Sequence, residues 1–123
     1  MAHKKILLVD DEESICLYME EILSELEGVE IAVAYDGKQA LDVMKTENIA
    51  ILITDIRMPN IDGIELIQTV QKNTDQVPII ITTGNQATLS QARNLEVTVF
   101  FEKPFTAQEL KSSVAAILKD LGT

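Results

Sequence analysis

Apolar residues fall along this chain in two alternating rhythms. Ile6-Leu7-Leu8-Val9, Ile49-Ala50-Ile51-Leu52-Ile53 and the run from Val97 to Phe101 are strand-length and free of charge, as expected of strands buried on both faces. Between such runs the spacing changes to three and four. Ile15, Tyr18, Met19, Ile22, Leu23 and Leu26 recur at helical intervals, with Glu20, Glu21, Ser24 and Glu25 opposite them. Together the rhythms predict strands near 5–9, 29–34, 49–54, 78–82 and 97–101, and helices near 13–26, 37–46, 63–72, 86–94 and 107–120. Strands alternating with helices require a parallel sheet covered on both faces. The expectation is an α/β, doubly wound single domain over residues 1–123.

Local signals mark the ends of these elements. Gly28 suits the stop of the first helix. Asp36, before Gly37-Lys38-Gln39, suits the N-cap of the second. Thr106-Ala107-Gln108-Glu109 reads as a capping box opening the last helix, with Leu110, Val114, Ile117, Leu118 and Leu121 facing inward. The segment 86–94 is the weakest helix of the five, because Ala87, Leu89, Ala92 and Leu95 offer little apolar bulk among polar neighbours.

Charge and composition exclude several classes. Twenty acidic against ten basic side chains give a net charge of -10, which repels nucleic-acid phosphates, so direct nucleic-acid binding by this chain is not expected. The apolar runs are far too short to span a bilayer, and Met1-Ala2-His3-Lys4-Lys5 runs into a strand without a signal-peptide core. No membrane association and a cytoplasmic location follow as expectations. Cys16, the single cysteine, lies among apolar helix positions and reads as a small core residue. His3 lies in a terminus expected to fray.

The strand-like runs end in charge. Asp10-Asp11 closes the first, Asp55 closes the third, and Lys103 follows the fifth. In an open parallel sheet the carboxyl ends of the strands line the ligand crevice, so these groups are expected to converge there. Hard cations such as Mg²⁺ take carboxylates, carbonyls and phosphate oxygens. Asp10, Asp11 and Asp55 could supply that set, with the backbone carbonyl of a residue just beyond Asp55 completing it. The metal and Lys103 reverse the local negative potential, and a carboxylate is a competent nucleophile towards phosphorus.

Four motifs occur in order at strand ends: Leu8-Val9-Asp10-Asp11-Glu12; Thr54-Asp55-Ile56-Arg57-Met58-Pro59 followed by Asp62-Gly63; Thr83-Gly84; and Lys103-Pro104-Phe105. In these the chain resembles, over essentially its whole length, the receiver domain of bacterial two-component response regulators. The resemblance implies a flavodoxin-like five-stranded sheet in the order 2-1-3-4-5 with five helices. It implies that Asp55 accepts a phosphoryl group from a sensor histidine kinase or phosphotransfer protein, and that Asp10 and Asp11 hold Mg²⁺, the backbone carbonyl just beyond Asp55 being that of Arg57. Lys103 and Thr83 would contact the phosphoryl oxygens. Phe100, three residues before Lys103, would track activation, and Arg57 and Asn85 would tune phosphoryl loss. The Lys103-Pro104 bond is usually cis in the family. A switch surface formed by the segment 86–94, the fifth strand and the last helix would act on a downstream protein or a fused output domain. Such a domain transfers phosphate only to and from itself and turns over no separate metabolite.

Other readings remain beside this one. Asp10 or Asp11 could cap the first helix, Thr82 competes with Thr83 for the inward position, and Phe100 could be ordinary core. The segment from Thr83 to Lys103 is shorter than usual, with Glu96-Val97 where the family commonly has a Gly-Ala pair. A degenerate receiver would be a phosphorylation-independent docking module. A haloacid-dehalogenase-like phosphatase needs a second carboxylate two residues after the first, where Arg57 stands. A flavodoxin-like flavin carrier lacks its phosphate loop here, because Asp10-Asp11-Glu12-Glu13 would repel a phosphate.

Overall fold

Five parallel strands form one sheet in the order β2-β1-β3-β4-β5, made by β1 (Lys4–Val9), β2 (Val29–Ala34), β3 (Ile49–Asp55), β4 (Ile79–Thr83) and β5 (Val99–Glu102). Helices α1 (Glu13–Leu23), α2 (Gly37–Thr46), α3 (Gly63–Asn73) and α4 (Ala107–Asp120) connect or follow the strands. The structure, a computed structural model, describes residues 3–58, 60–73, 77–84, 95, 97 and 99–121. The helix expected over 86–94 lies outside the described residues, as does Asn85. The doubly wound α/β fold and the 2-1-3-4-5 order are as expected.

Alternation along the strands divides the core into two layers. Leu7, Val9, Leu52, Ile79 and Ile81 pack with Ala40 of α2 and with Leu66, Ile67 and Val70 of α3. Ile6, Leu8, Ile51, Ile53 and Ile80 pack on the other side with Met19 and Leu23 of α1 and with Leu110 and Val114 of α4. The expected caps are present. Asp36 Oδ1 accepts from the Gln39 N–H at 2.7 Å, and Thr106 Oγ1 accepts from the Glu109 N–H at 3.1 Å.

Several boundaries differ from the sequence pattern for identifiable reasons. The first helix stops at Leu23 rather than running to residue 26; Leu26 still packs on the α1/α4 layer from the following turn. Gly28, at φ 75°, shapes the turn into β2 instead of ending the helix directly. Tyr18 is 42% exposed at the rim, where its ring lies 6.3 Å from that of Phe105, and Leu121 sits past the end of α4 at 39% exposure. Neither is an inward core residue. Pro78, lacking an N–H, precedes β4 and contributes only its carbonyl, which accepts from Leu52 N–H at 3.0 Å. Among the described residues no helix is long and apolar enough to cross a membrane.

Candidate metal and phosphoryl site

All five strands run the same way, so their carboxyl ends share one edge. Asp10 follows β1, Asp55 is the last residue of β3, and Lys103 follows β5. The Lys103 ammonium donates to Asp10 Oδ2 at 2.8 Å and to Asp55 Oδ2 at 3.2 Å. One cation thereby closes the crevice across three strands. Asp11 joins them: Asp10, Asp11 and Asp55 can each offer an oxygen with all three within 4.8 Å of one another. Asp10 is fully buried and Asp55 nearly so, while Asp11 is exposed.

Each side chain is held by its local backbone. Asp10 Oδ1 accepts from Glu12 N–H at 2.9 Å, and the residue at the N-cap of α1, Glu12, makes no side-chain cap of its own. That bond closes a turn onto the N-cap residue itself and reaches no N–H of the first turn of α1, so Asp10 does not cap the helix, and its Oδ2 is left to Lys103. Asp55 Oδ1 accepts from Ile56 N–H at 2.7 Å, which leaves Oδ2 to Lys103. The Thr54 hydroxyl donates to the Asp55 carbonyl at 2.8 Å, giving this buried polar residue a structural role. Lys103 N–H donates to the Thr83 carbonyl at 2.7 Å and ties the end of β5 to that of β4; the Lys103-Pro104 peptide is cis, as expected.

Gly63 was legible only as turn chemistry, yet it fixes the site's floor. Its N–H donates to the Ile56 carbonyl at 2.7 Å, and a Cβ there would overlap the Asp55 carbonyl oxygen and the Ile56 Cα. Helix α3 starts directly on the backbone that carries Asp55. A glycine eight residues after a strand-end aspartate was the available signal.

Burial raises the Asp55 carboxyl above the ordinary carboxylate range; Lys103 opposes that shift and the Asp10 charge adds to it. Burial would lower Lys103, but its hydrogen bond to Asp10 and the charges of Asp55 and Asp10 outweigh this and raise it. Cys16 is a buried core residue as expected. Its thiol donates to the Asp10 carbonyl at 3.4 Å and is pushed up to about 11, chiefly by burial.

Thr83 and Phe100 fall on the α2/α3 side of the sheet: Thr83 alternates with Ile79 and Ile81, and Phe100 packs on that layer. Thr83 is buried and Phe100 half-buried. Thr82 points the opposite way, with Ile80. The Arg57 side chain is exposed. The donor set suits a hard divalent cation, being three carboxylates with a cationic lysine alongside.

The family model of the response regulator receiver domain matches residues 6–115. The transcriptional regulatory protein CpxR of Escherichia coli is 37% identical over 117 residues, covering 94% of this chain and 49% of that protein. The alkaline phosphatase synthesis transcriptional regulatory protein PhoP of Bacillus subtilis is 34% identical over 119 residues, covering 95% and 49%. The chain thus spans about half the length of the curated relatives it matches. Among solved structures, the response regulator protein TrrA of Thermotoga maritima, in complex with Mg²⁺ and BeF, has a TM-score of 0.84 and 34% identity, covering 93% of this chain and 98% of that one. With a match of this extent and the strand-end motifs meeting at one sheet edge, the chain belongs to the response regulator receiver domain family.

Proposed function

We propose that this receiver domain takes a phosphoryl group onto Asp55 from the phosphohistidine of a sensor histidine kinase or phosphotransfer protein. An Asp55 carboxylate oxygen attacks phosphorus, the phosphorus–nitrogen bond breaks, and the imidazole leaves with that electron pair, giving an aspartyl phosphate. Mg²⁺, when bound, neutralises the developing charge on the phosphoryl oxygens. Asp10, Asp11 and Asp55 would hold it with the Arg57 carbonyl. Lys103 holds Asp55 in place and then pairs with a phosphoryl oxygen, and Thr83 donates its hydroxyl to another. The observation that carries this reading is the Lys103 ammonium shared between Asp10 and Asp55. It gathers nucleophile, metal ligand and cation in one crevice.

Phosphorylation then biases a two-state equilibrium through Thr83 and Phe100 towards the surface that includes β5 and α4. The output lies with a downstream protein or a fused domain; CpxR and PhoP are named as transcriptional regulators, which favours a transcriptional output. The domain acts in the cytoplasm, where such kinases present their phosphohistidine, and turns over no separate metabolite. Arg57 at the second position after Asp55 disfavours a haloacid-dehalogenase-like phosphatase. Incubation with acetyl phosphate and Mg²⁺, followed by mass spectrometry of peptides, should place the adduct on Asp55. An adduct that persists in Asp55→Asn, or forms equally well in chelator, overturns the assignment.

A further inference from the structure

Among the described residues, one buried side-chain polar atom has no hydrogen-bond partner: Thr82 Oγ1. Thr82 is fully buried, and Ile80, Ile53 and Leu8 on its side of the sheet are aliphatic. A buried hydroxyl without a partner has given up its hydrogen bonds to water for nothing, and valine would fill the same volume without that penalty.

The position of this hydroxyl gives it a use. Thr82 is the register partner of Asp55 across the β3–β4 pair. Register partners in adjacent strands lie ~4.8 Å apart and project to the same face. Asp55 follows Ile53 by two residues, Thr82 follows Ile80 and Asp10 follows Leu8, all three predecessors packing in the α1/α4 layer. Thr82 therefore shares a face with the carboxylates that Lys103 joins, whereas Thr83 projects to the opposite layer.

Asp55 Oδ1 is held by the Ile56 N–H, and Oδ2 by an ammonium it shares with Asp10. As a phosphoryl group approaches, its anionic oxygens draw this ammonium away while Asp55 is still an anion in a dry layer, and a second donor then holds the carboxylate in position for attack. We propose that Thr82 is a positioning residue for phosphoryl transfer: its hydroxyl, in register with Asp55, rotates to donate to the Asp55 side chain as Lys103 turns to the phosphoryl group. This rests on Asp55 being the phosphoacceptor.

The experiment compares wild type, Thr82→Val and Thr82→Ser in two measurements: thermal melting without ligands, and binding of beryllofluoride with Mg²⁺ followed by ¹⁹F NMR. Thr82→Val should melt above wild type, because the unpartnered hydroxyl is gone, yet bind beryllofluoride about tenfold more weakly, the effect of one hydrogen bond to a charged group. Thr82→Ser, which keeps the hydroxyl, should bind like wild type. Should valine disturb the fold, serine against alanine at this position isolates the same hydroxyl. Unchanged affinity in Thr82→Val, or serine binding as weakly as valine or alanine, would show Thr82 to be core packing only. Failure of wild type to form an Asp55 adduct would instead overturn the phosphoacceptor reading itself, so the two failures are distinguishable.

Discussion

Lys103 and Asp55 meet at 3.2 Å although β4 lies between the strands that carry them. The ammonium reaches over the tip of β4 to join β5 to β3, and goes on to Asp10 beside β1. Removing one partner of a buried charged group leaves the others uncompensated.

Lys103→Ala should therefore destabilise the metal-free domain by ~3 kcal/mol, the lower end for a buried pair, since the lysine side chain keeps 17% exposure. Mg²⁺ should raise the melting temperature of this variant more than that of wild type, because the cation substitutes for the missing ammonium and no longer competes with it. Melting curves with and without Mg²⁺ check this; equal increments would show that the two cations do not share the site.

Asp55→Asn should stabilise the metal-free domain at neutral pH. The folded-state carboxyl of Asp55 is raised above its unfolded value, with burial the largest cause. A group raised in this way contributes stability that is fully present below the unfolded value near 3.8 and is lost as pH rises through the folded value. Wild type loses that contribution as pH rises through the folded value, and the neutral amide does not. The advantage of Asn should shrink as pH falls towards 3.8. A wild type more stable than Asp55→Asn at pH 7 would show that the Lys103 contact outweighs burial.

Much of this was legible in the sequence because the chemistry sits at the ends of apolar runs, where a parallel sheet gathers it. The convergence of Asp10, Asp55 and Lys103 followed from topology alone once strands alternated with helices. Less legible were contacts that depend on close approach rather than periodicity. Asp62-Gly63 looks like any turn, yet Gly63 is needed because α3 starts against the Asp55 backbone. Tyr18 satisfies helical spacing but lies at the rim, because a three-and-four pattern gives the direction of a side chain and not how far the neighbouring helix extends over it. Thr82 and Thr83 differ by one residue and by the face of the sheet, which only the register resolves.

Asp10→Ala and Asp11→Ala should separate in kind. Asp10 is fully buried and bonded to Lys103 and to Glu12 N–H, so its loss should lower stability as well as metal binding. Asp11 is exposed. Its loss should weaken Mg²⁺ binding by at least about 10–100-fold, the range for even an outer-shell partner, while leaving the melting temperature of the metal-free domain nearly unchanged. Calorimetric Mg²⁺ titration beside melting curves distinguishes them; an Asp11→Ala variant that melts as low as Asp10→Ala, or that binds Mg²⁺ like wild type, would refute the separation.

Gly63→Ala should cost about 1–3 kcal/mol, as forced overpacking does, because the new methyl meets backbone atoms of Asp55 and Ile56 rather than a side-chain tip that can move. The displaced backbone carries a proposed metal ligand, so Mg²⁺ affinity should fall as well. Denaturant unfolding and metal titration of the same sample check both; a methyl tolerated without either loss would show that α3 can shift away from β3.

Thr83→Ala should accept a phosphoryl group yet transmit it poorly. Thr83 and Phe100 share the α2/α3 face, in adjacent strands, and Phe100 is only half-buried there, so a hydroxyl drawn towards a phosphoryl oxygen leaves space on a face where an aromatic ring has room to move. Inverting a 1:99 population takes about 5.5 kcal/mol of differential stabilisation, more than the ~1 kcal/mol of one neutral hydrogen bond, so Lys103 and Mg²⁺ must contribute most of it. The variant should thus still form the Asp55 adduct, with chemical-shift changes reduced at Phe100 and along β5. The chain has no tryptophan, which makes NMR with and without beryllofluoride the suitable readout. Phe100 shifts as large in Thr83→Ala as in wild type would show that the two residues are not coupled and that the phosphoryl group reaches the β5 surface through Lys103 alone.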